Sequence, residues 1–280
     1  MRPEIRIADT ITKLLPEHRG RVLVAASHAG LYPAHLAAKG GLRGIVLSDA
    51  GVGRDGAGIA GLAALDAVGL PAATVSHRSA RIGDGQDLYA RGIISHVNRA
   101  AERLGCVTGM TCAECAERLC AAAVHEPADI PVSEARQTLA LSPANRPVVL
   151  LDSNALVQPE DAGAVVVTGS HGGLLGGRPE TAIRVDAFAA LYNDAGVGID
   201  AAGIGRLPAL DARGIAGATV EAASARIGIA ASTYEDGIVS YVNETARALG
   251  GRPGMAARDL VALLARAPSV RDDNRPTPMS

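Results

Sequence analysis

Histidine, aspartate and arginine recur in this chain at matched places that suit acid–base work on a small polar molecule. Ser27-His28 and Ser170-His171 each follow a short apolar run and precede small residues, Ala29-Gly30 and Gly172-Gly173. Imidazole in such a turn reaches a ligand as a base or metal ligand near neutral pH, and glycine allows close backbone approach. Asp49 and Asp194 open the strings Asp-Ala-Gly-Val-Gly-Arg-Asp and Asp-Ala-Gly-Val-Gly-Ile-Asp. Arg81 and Arg226 lie in a repeated Ser-Ala-Arg-Ile-Gly string at 79–83 and 224–228. A guanidinium grips carboxylate or phosphate bidentately. The expected catalytic residues are therefore His28, His171, Asp49 and Asp194. Substrate-binding roles are expected for Ser27, Ser170, Gly172, Arg81, Arg226, Ser79, Ser224, Asn98 and Asn243. Ser95 with Asn98, and Ser240 with Asn243, read as i, i+3 neighbours on one helix face. Asp55 and Asp200 suit the N-caps of following helices.

These matches form a tandem repeat. Its offset is 194 − 49 = 145 downstream and 171 − 28 = 143 upstream. Solenoid repeats have periods of about 20–50 residues, so this is duplication of a whole domain. Residues 1–120 read as the first α/β repeat, 121–145 as a connection, 146–268 as the second repeat and 269–280 as a tail. In the first copy, apolar runs at 21–26, 44–47 and 71–75 read as strands. Helices are expected at 31–39, 57–68 and 88–104. Continuous apolar strands alternating with helices indicate a parallel sheet covered on both faces. The expected fold is α/β, an internal duplication giving two similar Rossmann-like domains with mainly parallel sheets. In such sheets ligands bind beyond the carboxyl ends of the strands, where the matched polar residues fall. The copies are not chemically equal: His77, Asp84 and His96 become Ala222, Ile229 and Tyr241.

The glycine strings carry a second reading. Gly51-x-Gly53-x-x-Gly56 and Gly196-x-Gly198-x-x-Ala201 fit a dinucleotide fingerprint, with Glu221 placed to bind a ribose. Gly196, Gly198 and Glu221 are the cofactor-binding residues of that alternative, a NAD(P)- or flavin-dependent oxidoreductase. The flanking aspartates would repel a phosphate, so a divalent metal is favoured over a dinucleotide as cofactor. The turn Thr-Gly-Ser-His-Gly-Gly at 168–173 resembles the His-Gly-Gly turn of creatininase-type amidohydrolases. That likeness covers one turn, and the other metal-binding signature of the family is missing.

Composition narrows the field. The 280 residues are 48% hydrophobic and 20% charged, with net charge 27 − 29 = −2. This apolar content argues against disorder, and the lack of basic excess argues against a nucleic-acid partner. Aromatics make up 2%, five Tyr and Phe188, so Ala, Val, Leu and Ile must fill the core. Cys106, Cys112, Cys115 and Cys120 cluster in one stretch whose counterpart carries Ala257, Leu260 and Ala265. They read as small packing residues rather than a zinc site or disulfide framework. No apolar run approaches a span of about 18 residues, and no export signal is recognisable, so no membrane partner and a cytoplasmic location are expected. The leading expectation is an enzyme, homo-oligomeric, acting on a small anionic carboxylate or amide metabolite. Hydrolysis is favoured over elimination or isomerisation. A non-catalytic two-lobed binder of small anions is the other alternative.

Overall fold

The computed structural model describes residues 4–139 and 146–268; the expected tail at 269–280 and part of the connection lie outside them. The first copy contains β1 (Ile5–Ala8), β2 (Val22–His28), α1 (Leu31–Lys39), β3 (Gly44–Ser48) and α2 (Gly61–Ala67). It continues with β4 (Ala72–Val75), α3 (Gly85–Arg91), β5 (Ile94–Val97), α4 (Arg99–Glu102) and α5 (Cys112–Leu119). The connection then supplies β6 (Arg136–Leu139). The second copy runs β7 (Val148–Leu151), β8 (Val165–His171), β9 (Ala189–Asn193), α6 (Arg206–Asp211) and β10 (Ala216–Val220). It ends with α7 (Ala230–Glu235), β11 (Val239–Val242), α8 (Glu244–Ala248) and α9 (Ala257–Arg266).

Two Rossmann-like units result. The sheets are ordered β1-β2-β3-β4-β5 and β11-β10-β9-β8-β7-β6. Pairing is parallel except at β5, β6 and β11, which are antiparallel edges. Central strands such as β2 are apolar on both faces and buried along nearly their whole length, because helices cover both sides. Cys106, Cys112 and Cys115 pack in one of these layers with Leu119, Val46 and Leu88. Strand order never reverses within a sheet, so neither sheet has a switch-point crevice of its own.

Two expectations are corrected here. The stretch 88–104 is not one helix: the chain turns extended at Gly92, forms β5 against β4, then restarts as α4. Ile93, Ile94 and Val97 fit helical spacing, but β-branched residues also fit an edge strand, and the glycine decides between them. In the second copy, the counterpart of α1 is replaced by short turns at Leu175–Gly177 and Pro179–Thr181. Gly176 and Gly177 both adopt positive φ there, and Pro179 supplies no N–H to a continuing helix.

The units meet through their glycine turns. Ala50, Ile82, Ala195 and Ile227, two from each copy, form a small apolar cluster between them. Arg81 and Arg91 reach Asp200 at 2.9 and 2.7 Å, and Arg226 reaches Asp55, which ties the copies together reciprocally.

Candidate functional site

A cavity of about 660 Å³ lies between the two units, where the carboxyl ends of β2 and β8 converge. Ser27 and His28 line it from β2, and Ser170 and His171 from β8. Tyr32 of α1, Glu134 of the connection, Asp152 after β7, Arg206 of α6 and Arg226 also line it, together with Lys13, Asp55, Glu180 and Arg184. The arrangement is reciprocal near the histidines. The His28 ring lies against Gly228 of the second copy, and the His171 ring against Gly83 of the first. A side chain on either glycine would crowd the imidazole, with Cβ falling 3.2 Å and 3.4 Å from the respective Cε1 atoms.

Both histidines are held in one tautomer. The Gly30 N–H donates to His28 Nδ1 at 3.1 Å, and the Gly173 N–H donates to His171 Nδ1 at 3.2 Å. An Nδ1 that accepts leaves the ring proton on Nε2. Burial lowers the His28 pKa to about 4. His171 is also pushed well below its ordinary value, first by burial and then by the charges of Arg206 and His28. Both rings are thus neutral at pH 7 and present Nε2–H as a donor. In this tautomer Nε2 has no lone pair to offer, so the role as base or metal ligand expected from the sequence would need the proton to move to Nδ1. Among the described residues, no group of three or more His, Cys, Asp or Glu side chains could hold a metal ion.

The group suited to take a proton is Glu134. Burial and the nearby charge of Asp152 raise its pKa, against the lowering effect of hydrogen bonds from Tyr32 and Ser153. Tyr32 itself is pushed up to about 12 by burial and by that carboxylate, so it remains a protonated donor. Asp152 is committed to the scaffold: its two oxygens accept the N–H groups of Ala135 and Ala230, both at 2.8 Å.

Arg206 is 2% exposed, and its charge is buried among neutral groups. Its Nε donates to the His171 carbonyl at 3.2 Å, and Nη1 donates to the carbonyls of Thr181 and Ala182. Its guanidinium carbon sits 5.0 Å from the centre of the Tyr192 ring.

Several expected site residues are placed elsewhere. Asp49 and Asp194 do not line the cavity; both are buried and hold the glycine turns. Asp49 Oδ1 accepts from the Gly51 N–H, the His77 N–H and His77 Nδ1, while Asp194 Oδ1 accepts from Gly196 and Ala222 N–H. Burial pushes the Asp49 pKa up, but those His77 bonds outweigh it and hold the carboxyl below its usual range. Both aspartates, expected from the sequence to be catalytic, are thus placed in the scaffold of the turns and away from the cavity.

Asn98 and Asn243 are N-caps rather than members of a ligand-facing helix. Asn98 Oδ1 accepts from Ala72 and Ala101 N–H, and Asn243 Oδ1 accepts from Gly217 and Ala246 N–H. The Ser79 and Ser224 hydroxyls donate to Ser76 and Glu221 carbonyls and accept from Ile93 and Ile238 N–H. Arg81 is engaged with Asp200, and Arg226, though on the cavity wall, with Asp55. Those two aspartates are ion-pair partners across the interface, and Gly53 and Gly198 occupy the cap positions expected for them. Gly172 is needed for packing, since a Cβ there would fall 2.3 Å from the Gly203 carbonyl oxygen. Ser27 and Ser170 do line the cavity while accepting from Ile11 and Asn154 N–H.

The glycine strings of the dinucleotide alternative pack against the other copy. A Cβ on Gly196 would meet Gly51 Cα at 3.0 Å, and one on Gly198 the His77 carbonyl oxygen at 2.8 Å. The other copy makes the close approach that a pyrophosphate would need. The α-helices after the turns begin only at Gly61 and Arg206, so no α-helix N-terminus faces the turn, and Glu221 is solvent-exposed.

Tyr32, Glu134 and Arg206 were not singled out from sequence. Arg206 had a signal: at an offset of 145 it faces Gly61, a buried cation in one copy where the other has no side chain. Glu134 had none, because the connection has no counterpart in the repeat. Comparison with known proteins adds no relative: no family model matches, and no curated protein or solved structure is significantly similar.

Proposed function

We propose that the protein is an enzyme that hydrolyses a small polar amide or related carboxylic acid derivative in the cavity between its two units. The observation that carries this reading is the pair of neutral imidazoles, one from each copy, with Nδ1 occupied and Nε2–H left as donor. Two such donors suit the oxygen of a carbonyl as it gains negative charge, and they need no reorganisation during the reaction. Glu134 takes a proton from water as the water oxygen bonds to the carbonyl carbon. The tetrahedral oxyanion rests on His28 and His171. On its collapse the carbon–nitrogen bond breaks, and Glu134 returns the proton to the leaving amine. Tyr32 holds Glu134 in place.

A clamshell binder without catalysis is less favoured, because the interface cluster and the reciprocal ion pairs bind the units to each other rather than leaving a hinge. Turnover of a panel of small amides and esters by the wild type and Glu134→Gln tests the proposal. The variant should fold normally and lose about 10²–10⁴-fold in kcat. Equal turnover by both proteins, or binding by the wild type without turnover, would defeat it.

A further inference from the structure

We infer that the ligand of this cavity carries a carboxylate, and that Arg206 of the second copy anchors it. The inference rests on the proposed reading of the cavity as a small-molecule site, and it adds which end of the molecule faces which copy. Arg206 lines the cavity, is almost wholly buried, and pairs with no carboxylate among the described residues. A buried charge is costly when its partners are only carbonyl dipoles, so an anion reaching this guanidinium from the cavity is strongly favoured. Arg206 also ties the Thr181 and Ala182 carbonyls of the turns that take the place of α1 in this copy, a need the first copy does not have. The counterpart in the first copy is Gly61, where a Cβ would meet the Gly30 carbonyl oxygen at 2.5 Å.

The surroundings sharpen the ligand class. Arg184 also lines the cavity, and it forms no ion pair among the described residues. The lining also carries the carboxylates Asp55, Glu134, Asp152 and Glu180, which would repel a second anionic group. The ligand is therefore a carboxylate with a neutral polar remainder: the anion faces Arg206, the reacting carbonyl faces His28 and His171, and the rest faces Glu134. Arg81 and Arg226, which looked like anion clamps in the sequence, are already neutralised by Asp200 and Asp55. Of the cavity's other cations, Lys13 and Arg184 are exposed and Arg206 is buried, which makes Arg206 the specificity-determining one.

Binding, not turnover, reads this inference, so its failure is distinct from failure of the hydrolysis proposal. Thermal unfolding of the full chain would be followed with succinamate, acetate and propionate, each against its neutral amide at equal ionic strength. At least one carboxylate should raise Tm by about 5 °C near 100 times its Kd, with no response to the matched amide. Arg206→Met should abolish the response. Because Met removes the arginine's hydrogen bonds to the His171, Thr181 and Ala182 carbonyls, Arg206→Lys serves as the second variant; it should keep the preference for the carboxylate with weaker binding. Equal response to carboxylate and amide, no response to any carboxylate, or full affinity in a folded Arg206→Met protein would overturn the assignment.

Discussion

Gly51 and Gly196 touch where the two copies meet: a Cβ on Gly51 would lie 2.9 Å from Gly196 Cα. Each belongs to a turn in which four consecutive residues have positive φ, Ala50 to Gly53 at 46°, 73°, 62° and 69°. The second copy repeats this at 50°, 74°, 63° and 71°. A β-branched valine in the left-handed region is strained, and Val52 and Val197 both adopt it. The strain persists because Asp49 and Asp194 hold the turns and the opposite copy closes over them.

Gly196→Ala should therefore destabilise by about 3 kcal/mol or more, the left-handed penalty of roughly 1–2 kcal/mol plus displacement of the neighbouring copy. Gly214→Ala is the matched control, since Gly214 has φ of 65° and nothing within 4 Å of its Cβ position. It should cost only the backbone penalty. Denaturant unfolding distinguishes the two; equal losses would mean that the contact between the copies is not tight.

Stability should fall on mild acidification before the carboxylates titrate. The folded pKa of His28 is about 4, below its unfolded value near 6.5, and His171 is shifted in the same direction. A depressed folded pKa means that the unfolded chain binds more protons in this window. The associated stability is fully present above pH 6.5 and is lost as pH falls toward 4. His28 accounts for roughly 3 kcal/mol of that change. In His28→Gln the slope of unfolding free energy between pH 6.5 and 4 should flatten; an unchanged slope would contradict the buried neutral state.

Replacing Asn98 or Asn243 by alanine should cost about 2–3 kcal/mol, because each removes a helix cap and leaves buried backbone groups unpaired. Binding of any cavity ligand should be unaffected in the folded fraction. A selective loss of affinity with normal stability would restore the ligand-binding role first expected for them.

The contrast between these asparagines and Glu134 shows what the sequence could convey. Strands such as β2 and β8 were legible because their apolar runs are continuous, and the two copies supported each other. Asn98 and Asn243 were visible as matched residues, but a match between copies reports shared architecture as readily as shared chemistry. The residues 88–104 misled because Ile93, Ile94 and Val97 satisfy helical spacing, and only Gly92 marks the break. The histidines were found, yet their role depends on the N–H two residues later, a local geometry that residue type does not encode. Glu134 enters through long-range docking of the connection, which places β6 beside β7, and no pattern within the connection announces that.

His171 and the clustered cysteines occupy different surroundings. His171 lines the cavity with Nε2–H as donor, whereas Cys112 and Cys115 are buried in the first copy's core, where the second has Ala257 and Leu260. Burial raises the pKa of Cys112 to about 12, and that of Cys115 is raised by Cys106 and burial, so neither thiol is poised as a nucleophile. Removing one donor to a developing oxyanion costs about 10²–10³-fold in kcat, so His171→Ala should lose that factor while remaining folded. His171→Gln retains an N–H donor of similar reach and should recover part of the loss. Cys112→Ala with Cys115→Ala should lower stability by about 1 kcal/mol per site and leave kcat unchanged. Full activity in His171→Ala, or loss of activity in the folded cysteine variant, would move the chemistry away from the cavity between the copies.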